Sequence, residues 1–442
     1  MQGGLVVGAG ILLGNVTGFF RVAVTAYLLG THAGADALAT AIGPMDVLNS
    51  AIVNTMLFAF VPMLVLRASG DRAALFARAG RIFASIAAGI TVFTALLAPQ
   101  LIAVLGPGLA APQRAQAAML LRWLAPSTFF GTAAAIYSAL LYTDRRFAVP
   151  SLYQTCLNGA TIAGALLLRR SLGIAGFAIG YTAGSALQLF LAWLSSRNLR
   201  ARAAAAPHRD SPIPVAEVLH GPGMFLLYAS LIASNLVVTR IFATHAGSGM
   251  AAAFDYSMRC SSVVLAYLVY PVAATLVPEI ARLRGLHEIP RAYALIDNSV
   301  VLMAVAAVAS CAIGIALRTP IIALIFQHGN FTAESTRLVS TVFLGFAPSL
   351  IGWALLDLIA RCFFAMNRPR LPVAAAFIPI TLNLAIMSIL RAEGKLTNPV
   401  VLGMGSSIGL LAGFGALFTM IHVKRLSAAS DQPSAKTAWA DR

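Results

Sequence analysis

Long apolar segments separated by short polar turns recur along almost the whole chain, as in the runs 84–97 and 300–317. A helix of about 20 mostly apolar residues is long enough to cross a bilayer. The pattern therefore predicts an all-α polytopic membrane protein with about twelve transmembrane helices. The predicted helices are 4–29, 36–66, 79–105, 115–142, 147–168, 172–196, 219–243, 249–281, 296–317, 335–365, 371–390 and 399–423.

Polar stretches divide these helices into two sets of six. Residues 1–196 are predicted to form an N-terminal six-helix lobe, and 197–218, rich in Arg, Ala and Pro, a cytoplasmic basic linker. Residues 219–423 are predicted to form the C-terminal six-helix lobe. The polar residues 424–442 have the composition of a disordered tail.

The two halves also resemble each other in sequence. LLGTHAGADALATA (28–41) matches IFATHAGSGMAAAF (241–254), and APQLIAVLGPG (98–108) matches TPIIALIFQHG (319–329). Six helices per half give both lobes the same orientation, which is the parallel kind of internal repeat. Two such lobes usually enclose a central cavity and alternate access to it by rocking.

The charge distribution orients the chain and excludes some partners. Only 10% of the residues are charged and 59% are hydrophobic, whereas soluble domains carry about 25% charged residues. The net charge of +16 is spread over many short loops, which argues against a nucleic-acid partner. With the N-terminus inside, 20 of the 31 basic residues fall in inside loops or the tail and 7 in outside loops. This bias predicts that both termini are cytoplasmic.

Four arginines remain within the predicted spans: Arg21, Arg122, Arg240 and Arg259. Arg21 precedes the predicted end of its helix by eight residues, or about 12 Å, which is too far for full snorkelling. An arginine at mid-helix costs at least about 2.5 kcal/mol on insertion scales. We therefore expect Arg21 to face a cavity, with pairing to an aspartate or to carbonyl groups as the structural alternative.

The first two helices of each half hold a set of intramembrane charges. These are Arg21, Asp36, Asp46, Arg240, Asp255 and Arg259. Three charges of each sign predict a polar cavity. Its basic groups suit an anionic substrate, above all a phosphate, which arginine binds in bidentate fashion. The aspartates are expected to hold a coupling cation or proton, or to hold the arginines in place.

Two acid–arginine pairs have the i, i+4 spacing that places both groups on one helix face. Asp255 and Arg259 can therefore pair within the cavity. Asp357 and Arg361 are expected to form a structural ion pair at the inner membrane edge.

Enzymatic chemistry has no support in the sequence. We find no nucleophile–base pair, zinc motif or phosphate-binding glycine loop, and GAGILLG (8–14) opens a membrane span. We therefore expect a protein that is neither an enzyme nor a metalloprotein. A membrane-embedded glycan transferase should show a large extracytoplasmic loop or a catalytic acid beside one, and the sequence shows neither. Two alternatives to an anion transporter remain: an exporter of organic cations and a non-transporting scaffold for cell-wall synthesis.

Two stretches resemble a known family. GFFRVAVTAYLLGTHAGADALATA (18–41) resembles the opening of the MurJ/MviN family of lipid II flippases, with its G-F-x-R stretch followed by G-x-x-x-x-T-D-A. LIFQHGNFTAESTRLVSTVFLGFAPSLIGWALLDLIARCFFAMNRPRLPV (324–373) resembles a long family block that contains a G-x-F-T loop. The resemblance extends from residue 12 to about residue 423.

The resemblance implies a two-lobe fold similar to that of multidrug and polysaccharide exporters, in the bacterial plasma membrane. It implies transport of an undecaprenyl-pyrophosphate-linked peptidoglycan precursor from the inner to the outer leaflet by alternating access. It also implies no cofactor, coupling to membrane potential or to a monovalent cation or proton, and contact with membrane lipids and cell-wall synthesis enzymes. Arg21 and Arg259 match cavity arginines that face the pyrophosphate, and Asp36 matches the acid at the start of the second helix.

The sequence departs from the family at several of these positions. Asn15 replaces an earlier arginine, Leu48 and Asn49 replace an arginine pair, and Val53 and Val22 replace acids. Two further C-terminal helices of the family have no counterpart. A related lipid-linked glycan is therefore the alternative substrate. The candidate substrate-binding residues are Arg21, Arg259, Arg240, Asn15 and Asn49, and the candidate coupling or arginine-positioning residues are Asp36, Asp46 and Asp255.

Overall fold

The computed structural model describes residues 2–56, 60–65, 69–205, 215–366 and 368–430. Within these ranges the chain is almost entirely α-helical and contains no β-strand. The prediction of an all-α fold is therefore confirmed.

The element bounds are α1 Gln2–Leu29, α2 Ala33–Thr55, α3 Val61–Val65, α4 Ser69–Leu96, α5 Ala98–Leu105, α6 Ala111–Leu124, α7 Pro126–Thr143, α8 Ala148–Ser151, α9 Tyr153–Leu167, α10 Arg169–Leu172, α11 Ala175–Ser195, α12 Arg197–Ala205, α13 Val215–Ala246, α14 Met250–Gly285, α15 Ile289–Ala316, α16 Arg318–Phe326, α17 Ala333–Phe346, α18 Ser349–Ala365, α19 Arg370–Ala392, a 3-10 turn Lys395–Thr397, and α20 Pro399–Ser430.

Several predicted helices are broken where prolines interrupt the backbone hydrogen bonds. The segment predicted as 115–142 divides into α6 and α7 just before Pro126, whose ring nitrogen has no hydrogen to donate. Pro348 separates α17 from α18, and the two helices meet at an angle of 48°. The third helix of each half, α4 or α15, is followed by a short separate helix, α5 or α16.

The predicted linker and tail are partly helical. Within the linker, α12 continues to Ala205 and α13 already begins at Val215; residues 206–214 lie outside the described part of the chain. Helix α20 extends to Ser430, so the prediction of disorder was wrong for the first residues of the tail. Residues 431–442 lie outside the described part as well.

By length and composition, eight described helical segments can cross a membrane, or nine if the bent pair α17–α18 is one span. The other predicted spans contain α2, α9 and α14. Helix α9 has only 15 residues, which is shorter than the roughly 20 residues that a membrane-spanning helix needs. Helix α2 contains the acids Asp36 and Asp46, which lower its mean hydropathy. Helix α14 is 36 residues long and contains Pro271 and Pro278. Elsewhere the surface is apolar: Val301, Leu302 and their neighbours on α15 are more than half exposed, as expected for a helix that faces lipid.

The packing repeats in the two halves, as the sequence repeat predicts. In the first half α1 packs on α9, α2 on α6, α4 on α7, and α9 on α11. In the second half α13 packs on α19, α14 on α17, α15 on α18, and α19 on α20. The two lobes meet where α13 and α14 pack against α2. The four helices that carry the predicted site, α1, α2, α13 and α14, thus lie at or beside this junction.

Glycines allow some helices of the second lobe to approach very closely. A Cβ atom on Gly403 of α20 would overlap the backbone of Gly345 and Phe346 in α17. Small residues at such crossings bring two backbones into contact, which is how membrane helices gain packing energy without a hydrophobic driving force.

We expect Gly403→Ala to lower stability and Gly415→Ala in the same helix to leave it unchanged or raise it. The new methyl group at position 403 meets backbone, and overpacking costs about 1–3 kcal/mol. No atom lies within 4 Å of a Cβ at position 415, so only the better helix propensity of alanine, up to about 1 kcal/mol, acts there. Thermal unfolding of the two purified variants in detergent measures the difference. Equal midpoints would contradict the close α17–α20 contact.

Candidate functional site

A cavity of about 90 Å³ lies between the two lobes, and the charged residues of the first two helices of each half surround it. Its lining residues are Arg21, Val22, Thr25, Ala35, Leu38, Ala39, Ile42, Asp46, Thr161, Phe177, Arg240, Ala252, Asp255, Tyr256, Met258 and Arg259. Five of the eight predicted site residues are therefore brought together here.

Arg21 forms a two-pronged ion pair with Asp46 on the neighbouring helix. Its Nη2 lies 2.7 Å from Oδ2 of Asp46 and its Nη1 lies 3.3 Å from Oδ1. The guanidinium also lies 5.9 Å from the ring centroid of Tyr181, within the range of a cation–π contact. Asn49 donates to the Tyr181 hydroxyl at 3.1 Å. Both expectations for Arg21 are therefore met: it faces the cavity, and it is paired with an aspartate.

Arg240 forms the second ion pair of the cavity. Its Nε lies 2.5 Å from Oδ1 of Asp255, and its Nη2 lies 3.7 Å from the sulfur of Met258. The predicted pairing of Asp255 with Arg259 was therefore wrong. Four residues turn a helix through about 40° beyond one full turn, and this offset lets Asp255 face α13 while Arg259 faces α1.

Arg259 has no ion pair among the described residues, and its buried Nε has no hydrogen-bond partner. Its guanidinium lies against Gly18 of α1, where a Cβ would overlap it, and that same position is close to the amide of Asn158. A glycine at position 18 thus provides the space into which the guanidinium reaches across the lobe junction.

The lining residues include three arginines and two aspartates, and each aspartate is paired with an arginine. The cavity therefore keeps one uncompensated positive charge, on Arg259. A buried guanidinium without a counterion is unfavourable in a low-dielectric site, so the arrangement favours entry of an anion.

The remaining predicted residues do not line the cavity. Asp36 is buried and caps the first turn of α14 in the other lobe, accepting hydrogen bonds from the backbone N–H groups of Gly249 (2.5 Å) and Ala252 (3.0 Å). Asn49 is buried beside Tyr181, and Asn15 is half-buried on α1. Asp36 therefore joins the lobes, and Asn49 supports a side chain that contacts Arg21.

Two loops close the end of the molecule at which α1 ends and α2 begins. In the α16–α17 loop, Asn330 donates from its backbone N–H to the carbonyl of Tyr27 at 2.9 Å, and from its side chain to the carbonyl of Leu28 at 2.7 Å. In the α5–α6 loop, Gly108 donates from its backbone N–H to the hydroxyl of Thr244 at 3.2 Å. We call these two contacts the C-lobe clasp and the N-lobe clasp.

The clasps are related by the internal repeat. Gly108 and Gly329 end the matching stretches 98–108 and 319–329. Each loop is hydrogen-bonded to the C-terminal end of the first helix of the opposite lobe. The backbones touch, since a Cβ on Gly108 would overlap Thr244 and one on Gly329 would overlap Tyr27. The described conformation is therefore closed at this end.

The sequence alone does not identify the glycines against which the guanidinium groups lie, nor the side chains that contact these groups from distant helices. Gly18 is marked in the sequence only as the first letter of the G-F-x-R stretch. Gly43 of α2, where a Cβ would lie 2.7 Å from Nε of Arg240, is not marked by any motif. Tyr181 and Asn330 lie far along the chain from the groups they contact. Only the internal repeat could have indicated a role for Asn330, because the repeat aligns the two loops that form the clasps.

Outside the cavity, the predicted pair on α18 is confirmed. Nε of Arg361 lies 2.8 Å from Oδ2 of Asp357, and both side chains are about four-fifths buried or more.

Comparisons with known proteins agree on one family. The model of the family "Lipid II flippase MurJ" matches residues 25–439. A probable lipid II flippase MurJ of Haemophilus influenzae is 26% identical over 401 residues, which cover 84% of this chain and 77% of that protein.

Solved structures share the fold. A lipid II flippase MurJ in an inward closed conformation aligns with a TM-score of 0.79 at 20% identity, over 95% of this chain and 87% of that chain. An inward-facing MATE-family multidrug transporter aligns with a TM-score of 0.77 at 10% identity, over 94% of this chain and 96% of that chain. These likenesses confirm the two-lobe transporter fold.

We expect Asn330→Ala to shift the lobes toward a conformation open at the clasp end. Loss of the bond to the Leu28 carbonyl removes about 0.5–1.5 kcal/mol from the closed state. Double electron–electron resonance measures this shift as a distance between two spin labels, placed at R114C and R337C in a variant without the native cysteines. Asn398→Ala is the matched control, because the Asn398 side chain bonds within its own lobe, to the N–H of Val400. An unchanged distance distribution for Asn330→Ala would contradict the clasp.

The pairing of Arg21 with Asp46 predicts strong coupling between the two positions. Asp46→Asn leaves a largely buried guanidinium without its counterion and is expected to destabilise more than the double variant Arg21→Gln, Asp46→Asn. A double-mutant cycle on thermal stability should return an interaction energy of roughly 0.5–3 kcal/mol. Additive effects of the two substitutions would show that the ion pair contributes nothing.

Proposed function

The chain belongs to the lipid II flippase MurJ family of bacterial integral membrane proteins, and on that premise we propose that it moves lipid II or a closely related polyprenyl-pyrophosphate-linked saccharide between leaflets. The observation that supports this most is Arg259, whose guanidinium lines a cavity between two lobes without a counterion among the described residues. A pyrophosphate headgroup supplies the charge that this site lacks.

In the proposed cycle, Arg259 attracts the headgroup and Arg21 joins it by exchanging its carboxylate partner for phosphate oxygens. Arginine forms bidentate, charge-assisted bonds with phosphate as readily as with carboxylate. Asp46, released from Arg21, becomes free to bind a proton or a monovalent cation, which would couple transport to an ion gradient or to the membrane potential. Opening of the two clasps then gives the headgroup access to the outer leaflet.

We further propose that both termini are cytoplasmic. The excess of basic residues in the loops on that side supports this orientation. The clasp end then faces outward, and the described conformation is closed to the outside. Enzymes that make and consume the lipid-linked precursor are the partners that this orientation implies on the two sides.

Export of organic cations is the alternative within the same fold. Such a substrate needs a free carboxylate, but Asp46 and Asp255 are each held by an arginine at 2.7 and 2.5 Å. The pairing leaves the cavity with a surplus of positive charge, so the anionic substrate is favoured.

We expect this chain to restore outer-leaflet exposure of lipid II in cells depleted of their own flippase, and Arg21→Ala or Arg259→Ala to reduce that exposure at least tenfold. Arg122→Ala is the matched control, because Arg122 lies in α6, is exposed and does not line the cavity. All variants are compared at equal amounts of membrane-inserted protein. Full activity of both cavity variants would favour a non-transporting scaffold, and no rescue by the unaltered chain would point to another lipid-linked glycan.

The proposed orientation predicts a fluorescent C-terminal fusion with green fluorescent protein and an inactive one with alkaline phosphatase, because the phosphatase folds only outside the cytoplasm. A fusion to the phosphatase after Arg337 should be active. The opposite pattern would reverse the orientation and place the clasps on the cytoplasmic side.

A further inference from the structure

Arg240 is a second cavity arginine with unfilled donor capacity. Its side chain is only 5% exposed, its Nε is bonded to Asp255, and its Nη1 is buried without a hydrogen-bond partner. Buried polar groups in proteins are nearly always hydrogen-bonded, so each exception needs an explanation such as a missing ligand.

The position of Arg240 parallels that of Arg259. Both belong to the second lobe, and each guanidinium lies against a glycine of the first lobe. A Cβ on Gly43 of α2 would lie 2.7 Å from Nε and 2.8 Å from Nη1 of Arg240. Gly18 of α1 stands in the same relation to Arg259. The second lobe thus presents two buried guanidinium groups, each with one nitrogen that lacks an acceptor.

We propose that Arg240, positioned by Asp255 and by the space at Gly43, binds the second phosphate of the substrate and so makes the cavity selective for a pyrophosphate over a monophosphate. This inference rests on the proposed function, in which Arg259 and Arg21 bind the first phosphate. Arg259 lies against Gly18 of α1 and Arg240 against Gly43 of α2. Two linked phosphates can reach both sites, whereas a single phosphate bound by Arg259 and Arg21 leaves Arg240 without an acceptor.

The pairing with Asp255 serves this role. The carboxylate occupies Nε and fixes the guanidinium plane, while it leaves the Nη1 edge unused. Met258 lies 3.7 Å from Nη2 and is too weak an acceptor to compete with a phosphate oxygen. Gly43 of α2 covers that edge without offering a side-chain acceptor, and separation of α2 from α13 during rocking would expose it. Arg240 therefore engages the headgroup as the lobes move.

The test is the binding of two probes, undecaprenyl pyrophosphate and undecaprenyl phosphate, to the purified full chain by native mass spectrometry. For the unaltered protein we expect tighter binding of the pyrophosphate. Arg240→Gln should weaken pyrophosphate binding about tenfold, the equivalent of one charge-assisted bond, and leave monophosphate binding within about twofold. Equal loss for both lipids, or loss for neither, would overturn the proposal.

Two further variants keep the test decisive if Arg240→Gln fails to fold with Asp255 unpaired. The double variant Arg240→Gln, Asp255→Asn removes both charges together and should show the same loss of selectivity. Gly43→Ala keeps both charges but displaces the guanidinium, and should lower the pyrophosphate preference as well. Gly34→Ala in the same helix is the control, since a Cβ there meets only the tip of Ile174 at 3.5 Å. Unchanged selectivity in both further variants would reject the role of Arg240.

The outcomes also separate this inference from the proposed function. If the unaltered chain prefers the pyrophosphate lipid and restores lipid II exposure, but selectivity survives in every Arg240 and Gly43 variant, only the inference fails. If the unaltered chain binds neither lipid better than a zwitterionic phospholipid, the proposed function itself fails.

Discussion

The cost of holding charge inside a membrane governs the arrangement of this protein. Each charged group within the lobe junction needs a partner, and most have one: Arg21 pairs with Asp46, Arg240 pairs with Asp255, and Asp36 caps the first turn of α14. These contacts join α1 to α2, α13 to α14, and one lobe to the other. The electrostatic pairing therefore holds the helices that define the cavity, and it leaves Arg259 as the charge available to a substrate.

The same contacts give the junction two separable parts. Toward the clasp end, Asp36, Gly108 and Asn330 join the lobes through backbone groups at helix ends. Deeper in the junction, guanidinium groups of the second lobe reach glycines of the first. Backbone hydrogen bonds at helix ends can break and re-form with little change inside either lobe. The fold thus permits rocking of two stable bodies, with the charges at the interface that such a motion opens and closes.

The structure shows what surrounds the positions at which this sequence departs from the family pattern. Asn49, at a position where the resemblance implies an arginine, is buried and bonded to Tyr181. Val22, at a position where the resemblance implies an acid, lines the cavity, and Asp46 on the next helix is the counterion of Arg21. Arg240 adds a positive charge on α13. Among the described residues the cavity lining has a surplus of positive charge, which is consistent with an anionic substrate.

The sequence by itself determined the helical fold, the two matching halves and the set of charges in the first two helices of each half. Apolar runs and repeated motifs are local signals, and the cost of a buried charge makes Arg21 conspicuous wherever it lies. Only the tertiary structure decided the partners. The i, i+4 spacing favoured Asp255 with Arg259, yet Asp255 faces Arg240 of α13, and Arg21 pairs with an aspartate 25 residues away. The contacts of Gly18 with Arg259, of Gly43 with Arg240 and of Asn330 with α1 depend on how helices of opposite lobes are placed. No pattern within a single helix encodes that placement.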